Sequence, residues 1–171
     1  RFSFSENCRY APPVARNDPH PPTLSAAVVT AVLPALALRE MRLTPHRRAV
    51  LAVLEHGHRP LTTDEVAAAS GVPVSTVYRI LAELADAGVV ARVAGAAGGD
   101  RHELAEAFSD HHHHHLVCTE CGIVTDFDPS PALELLIDKE IGALLGATGF
   151  EVAHHVFDVR GRCRDCVSAG A

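Results

Sequence analysis

Apolar positions recur at helical spacing through the first half of the chain and shorten into strand-length runs in the second. From Leu36 to Glu55 the pattern predicts an amphipathic helix, a break at Thr44-Pro45, and a second helix with Val50, Leu51, Val53 and Leu54 apolar. Thr44 is placed to cap that second helix, and Pro45 suits a first turn where no backbone N–H is needed. Thr62-Thr63-Asp64-Glu65 reads as a capping box that opens a short helix through Ala69, closed by Ser70-Gly71. Another helix starts at Pro73-Val74, carries Val77, Leu81 and Leu84 on one face with Ile80 beside them, and ends at Gly88. Val89 to Val93 then alternates toward a strand, residues 95–99 make a glycine-rich turn, and Arg101 to Leu104 returns. Later, Leu116-Val117, Ile123 to Phe127 and Val152 to Val159 predict strands, and Ala132 to Leu145 an amphipathic helix.

The expected fold class is α+β. Residues 36–98 form a winged helix-turn-helix domain and residues 99–171 a small α/β module. That module has more apolar surface than one copy can hide, so a homodimer is expected. Residues 1–23 are rich in proline and polar groups and show no period, which predicts disorder. The stretch Leu24 to Leu38 is apolar, but it is too short to cross a bilayer and is interrupted by Pro34. Residues 1–35 are therefore assigned to an extension outside the folded domains, and the protein is read as cytoplasmic, with no membrane partner.

In a helix-turn-helix the second helix presents its N-terminal half to DNA. Here that half offers Ser75, Thr76, Tyr78 and Arg79 on the face opposite the apolar stripe. The same residues could form the solvated face of a helix pair that never meets DNA; the wing favours the DNA reading.

Charge sharpens the division. The net charge is −6, yet residues 96–171 carry 13 acidic against five basic residues, so the second half should attract cations. Of five cysteines, Cys8 lies in the proline-rich tract and the others form two Cys-x-x-Cys pairs, Cys118/Cys121 and Cys163/Cys166. Paired thiolates at this spacing suit tetrahedral zinc better than disulfides in an intracellular chain, with buried or redox-active thiols as the other reading.

Five consecutive histidines, His111 to His115, run into the first cysteine pair in mid-chain, where a purification tag would not sit. In a strand His112 and His114 share one face while His113 and His115 share the other. Glu103, Asp126, Glu134 and His155 are available to complete a metal site. Mixed nitrogen and oxygen ligation suits zinc, iron, manganese or nickel rather than calcium or magnesium. For His20, His46, His56, His102 and His154 a surface or packing role is expected, His111 is the exposed edge of the run, and His58 stays open between the two.

Together, Thr76-Val77-Tyr78-Arg79, Arg101-His102-Glu103-Leu104, the His111–Cys121 run with Gly122, and Gly161-x-Cys163-x-x-Cys166 resemble the ferric uptake regulator family of bacterial metal-responsive repressors. The resemblance runs from about Leu36 to Cys166. It implies a winged-helix domain, a dimerisation domain, a four-cysteine structural zinc and a regulatory metal at the hinge. Carried over by position, Cys118, Cys121, Cys163 and Cys166 match the structural zinc ligands. His112, His114, Glu134 and His155 match a second metal site, and Glu103, His113, His115 and Asp126 the hinge site. The chain departs from iron-sensing members in a longer stretch at 105–110, in one inserted residue near Glu134, and in having Pro60-Leu61 where iron and peroxide sensors place a histidine. It also has Phe108-Ser109 where zinc uptake regulators often place a cysteine. The all-histidine run and the missing loop histidine favour zinc as the regulatory metal, with iron, manganese, nickel or peroxide sensing as alternatives.

The function so implied is metal-dependent repression of metal-homeostasis genes on double-stranded operator DNA, without a small-molecule substrate or enzyme activity. A metal-dependent hydrolase is the less favoured class because no His-Glu-x-x-His or comparable set is present. A histidine-rich zinc buffer would leave the recognition helix without a use.

Overall fold

The computed structural model describes residues 22–95, 99–109, 112–150 and 155–169, without the side chains of 145 and 147. Helix α1 (Ala26–Leu38) begins at Ser25, whose hydroxyl accepts from the Val28 N–H, and runs through Pro34. Proline removes one intrahelical bond and crowds the preceding turn. The helix persists because Leu24, Val28, Val32 and Leu36 all enter the core, each fully buried aliphatic side chain contributing about 1.5–3 kcal/mol. Glu55 also ties its start to the next helix by accepting from the Ser25 N–H at 2.9 Å.

Two expectations are corrected here. Residues 22–35 are not part of an unstructured extension but supply a packed helix; the expectation of disorder at 1–21 lies outside the described residues. The first helix also lies earlier than predicted, so that Leu36 is in its last turn and residues 39–44 are not helical.

Helix α2 (Pro45–Glu55) is capped by Thr44, as its sequence predicts. Strand β1 (Leu61–Thr62) leads into α3 (Thr63–Ser70), where Thr62 and Glu65 form the reciprocal capping box. Gly71 turns the chain at φ +69°, a conformation most side chains resist. Helix α4 (Val74–Asp86) buries Val77, Ile80, Leu81 and Leu84 against this core.

Strands β2 (Val90–Ala94) and β3 (Asp100–Leu104) form the wing, and β1 completes an antiparallel sheet in the order β1-β3-β2. A side chain at Gly95 would meet the Gly99 carbonyl at 2.4 Å, which is why glycine stands there. Because β3 pairs with β2 and Leu104 joins the first core, the winged-helix unit extends past the expected boundary at residue 98.

After a 3-10 turn at Glu106–Phe108, the second sheet is built from β4 (His114–Cys118), β5 (Val124–Phe127) and β6 (Asp158–Gly161), in the order β5-β4-β6. β4 runs antiparallel to β5 and parallel to β6. Helices α5 (Pro131–Thr148) and α6 (Arg164–Ala169) complete it; α6 was not foreseen, and the strand expected from Val152 is observed from Asp158, with 151–154 outside the described residues.

The two halves meet where Val93 of the wing packs with Val117 and Val124. Beside that contact, Arg101 donates from Nε to the Gly122 carbonyl at 3.0 Å and reaches Glu65 of the α3 cap at 3.5 Å. No described helix is long and apolar enough to cross a membrane.

Candidate metal centres and nucleic-acid interface

The histidines sort alternately, as the sequence predicts, although β4 begins only at His114 and His112 and His113 lie in the segment that leads into it. Side chains of His112 and His114 reach Glu134 and His155, while His113 and His115 reach Glu103 and Asp126. In each set of four, one ligand atom per residue lies within 4.8 Å of the others. The four cysteines form a third such group.

The cysteine group fits a tetrahedral ion. Cys118 and Cys166 sulfurs are 3.8 Å apart and those of Cys121 and Cys163 3.7 Å, too far for disulfides. Four thiolates at the usual zinc–sulfur distance would sit about 3.8 Å apart along each edge of the tetrahedron. Burial raises the Cys118 thiol, yet the backbone N–H groups of Cys121, Cys163 and Glu120 point at its sulfur and together bring it down to about 6. That sulfur is therefore prepared to be a thiolate. Cys166 is pushed up to about 12, first by burial and then by the neighbouring sulfurs.

At the hinge, register places Asp126 of β5 directly opposite His115 of β4, so both project from one face of the sheet. Glu103, at the end of the wing, lies 3.1 Å from His113 Nε2 and 3.3 Å from His115 Nε2. Burial opposes ionisation of Glu103, but its bonds to His113 and His115 hold its carboxyl below the ordinary value. His115 is raised, because Glu103 outweighs the burial that would lower it. Asp126 is pushed up to about 6 by burial, assisted by the Glu103 charge. Its Oδ1 is buried with no hydrogen-bond partner, an orphaned acceptor that suits a cation.

The other tetrad centres on Glu134, near the start of α5, whose Oε1 lies 2.8 Å from His114 Nε2 and 3.7 Å from His112 Nε2. Its Oε2 lies 3.4 Å from His155 Nε2, a buried nitrogen without a hydrogen bond. His114 is wholly buried, and burial lowers its pKa despite Glu134. Three imidazoles and one carboxylate suit a borderline metal such as zinc.

On α4, Ser75, Tyr78 and Arg79 are exposed and Thr76 half-buried. Tyr78 leaves 70% of its surface to solvent. Thr76 and Arg79 line a groove of about 300 Å³ with Thr44, His46 and Arg47 from the start of α2.

The sequence profile of the ferric uptake regulator family matches residues 39–160. The chain belongs to that family. A peroxide-responsive repressor of Staphylococcus saprophyticus is 33% identical over 132 residues, 74% of this chain and 82% of that protein. The ferric uptake regulator of Pseudomonas aeruginosa with manganese is 26% identical, covers 77% of this chain and 96% of its own, and superposes with a TM-score of 0.61. That of Vibrio cholerae is 27% identical over 76% of this chain and 98% of its own, with a TM-score of 0.57. As a member of the ferric uptake regulator family the protein is a metal-responsive, DNA-binding transcription regulator that acts as a dimer, not an enzyme.

Within that family frame, the residues singled out for metal fall into the three groups the sequence expects. His46 and His56 are exposed, His102 is buried with its Nδ1 unpartnered, and His20, His111 and His154 lie outside the described residues. His58, left open by the sequence, lines a cavity of about 520 Å³ together with Glu103, His113 and Asp126. Sequence reasoning missed Glu106, Asp158 and Arg101. The first two contact outer nitrogens of the histidines, and only the register of β6 and the 3-10 turn bring them there.

Proposed function

We propose that the protein is a metal-dependent repressor of metal-homeostasis genes and that zinc is the metal it senses. One observation carries this reading: alternate histidines of the run that leads into β4 build two separate tetrads of ligand atoms beside the junction of the winged helix with the second sheet. Cys118, Cys121, Cys163 and Cys166 would hold a structural zinc that leaves no open position. Glu103, His113, His115 and Asp126 would hold the regulatory ion, and His112, His114, Glu134 and His155 a second one.

A divalent cation supplies the positive charge that offsets the buried carboxylates and draws their elements together. Glu103 belongs to the wing and Asp126 to the second sheet, so gathering these residues fixes the angle between the domains. Exposed Leu133, Leu135, Leu136 and Leu144 on α5 and the exposed strand β6 support a dimer interface in the second domain. A dimer with fixed hinges holds two α4 helices at the spacing of successive major-groove half-sites, where Ser75, Thr76, Tyr78 and Arg79 meet DNA. Binding at the hinge and at DNA is then coupled, each favouring the other.

The cavity that His58 shares with the hinge group favours a second reading, in which a fifth donor from the winged helix suits iron or manganese. Fluorescence anisotropy separates the two. An operator is selected from random duplexes, and zinc, manganese, iron(II) and nickel are titrated singly into protein that keeps only its structural zinc. Tight binding at the lowest free concentration with zinc is expected; an iron or manganese response overturns the zinc assignment, and metal-independent binding overturns sensing. Arg79→Ala should weaken operator binding by about 1–3 kcal/mol with metal content intact.

A further inference from the structure

In each histidine tetrad one imidazole has a carboxylate from outside the tetrad close beside its second nitrogen; His155 has a more distant one, Asp138, at 4.0 Å. His112 turns Nε2 toward Glu134 and presents Nδ1 to Glu106, at 2.5 Å. His115 turns Nε2 toward Glu103 and presents Nδ1 to Asp158, at 3.4 Å. We propose that Glu106 and Asp158 are the positioning residues of the second site and the hinge site, each fixing which nitrogen its histidine offers to metal.

An imidazole has one acceptor and one donor nitrogen when neutral, and a metal takes the acceptor. A carboxylate at Nδ1 keeps the proton there, leaves the Nε2 lone pair facing the site and raises its basicity. Asp158 is anchored through its carboxylate and Glu106 through its backbone. Glu106 sits in the 3-10 turn, where the Ser109 N–H donates to its carbonyl at 3.1 Å and Phe108 packs on the winged-helix core. Asp158 stands opposite His115 in the β4–β6 register and receives Arg160 Nη2 at 3.1 Å on its other oxygen. The two supports come from different elements, so the sites can be tuned separately. The hinge site takes its support from the edge strand β6, and the second site from the turn that follows the wing.

This inference rests on the tetrads binding metal, and the experiment separates the two claims. Cobalt(II) is titrated against a competing chelator into full-length protein retaining its structural zinc. The second site is read in a His113→Ala/His115→Ala background and the hinge in a His112→Ala/His155→Ala background. Each background should lose one equivalent of cobalt; if neither does, the metal-site reading fails and this inference with it. Given that loss, Glu106→Ala should weaken the second site by about 10- to 100-fold and Asp158→Ala the hinge by a similar factor, each sparing the other site. The visible ligand-field bands of the affected site should shift while the thermal midpoint of the cobalt-free protein stays put, which a merely structural role would not produce. Glu106→Gln, which keeps an acceptor oxygen at Nδ1, should recover part of the affinity. Unchanged site affinities in both alanine variants, with the backgrounds behaving as stated, would overturn the assignment.

Discussion

Among the described residues, 20 buried apolar residues of the winged-helix domain, from Leu24 to Leu104, form one continuous core, whereas the second sheet adds only Val117 and Val124, joined by Val93 of the wing. What the second domain buries instead is His114, His115, Cys118 and Cys166, while α5 leaves Leu133, Leu135, Leu136 and Leu144 exposed. Burial of carbon can hold the first domain unaided. Among the described residues the second has far less of it, so ligand bonds and a second copy of the chain are expected to supply the remainder of its folding energy. The contrast also fits regulation, since an element held by exchangeable bonds responds to what supplies them.

The largest effect is expected at the cysteines. Cys118→Ser should abolish the slow hydrogen exchange of β4, β5 and β6, because the remaining core is too small to hold the sheet, yet leave α2, α3 and α4 protected. Equal protection in both domains of the variant would show that the second one does not depend on its thiolates. A smaller effect tests the first domain: Leu36→Ala should cost about 2–5 kcal/mol in urea unfolding of the winged helix without changing zinc content. A cost near zero would mean that α1 is an appendage and not part of the core.

Asp126 is pushed up to about 6 from the ordinary 3.8. Between those values the folded, hinge-metal-free protein keeps a proton that the unfolded chain has released. Its contribution to stability is thus present at low pH and lost as pH rises through about 6. Relative to Asp126→Asn, the parent protein should lose on the order of 1–2 kcal/mol between about pH 5 and about pH 7. Parallel stability curves would show that Asp126 ionises normally.

Much of this was legible in the sequence where a local rule governs. The Thr44 and Thr62 caps, the Gly71 and Gly88 stops and the sorting of alternate histidines follow from backbone geometry that neighbouring residues dictate. Helix α1 was missed because its residues are apolar on nearly every side, which erases the amphipathic period, and because Pro34 reads as a breaker when packing is invisible. Strand β1 has two residues and α6 six, below the length at which a period can be recognised. Glu106 and Asp158 carry no motif; they matter through a turn and a strand register set by the folded chain. His58 lies two positions from where iron sensors place their histidine, and only the shared cavity connects it with the hinge group.

Coupling of metal to DNA through the hinge residues can be measured. Its most direct test is the operator affinity of His113→Ala/His115→Ala, compared with the parent protein, at saturating zinc and after removal of exchangeable metal. The variant should stay a folded dimer with its structural zinc and bind the operator with the same weak affinity in both conditions. A variant that still tightens on DNA when zinc is added would contradict that coupling.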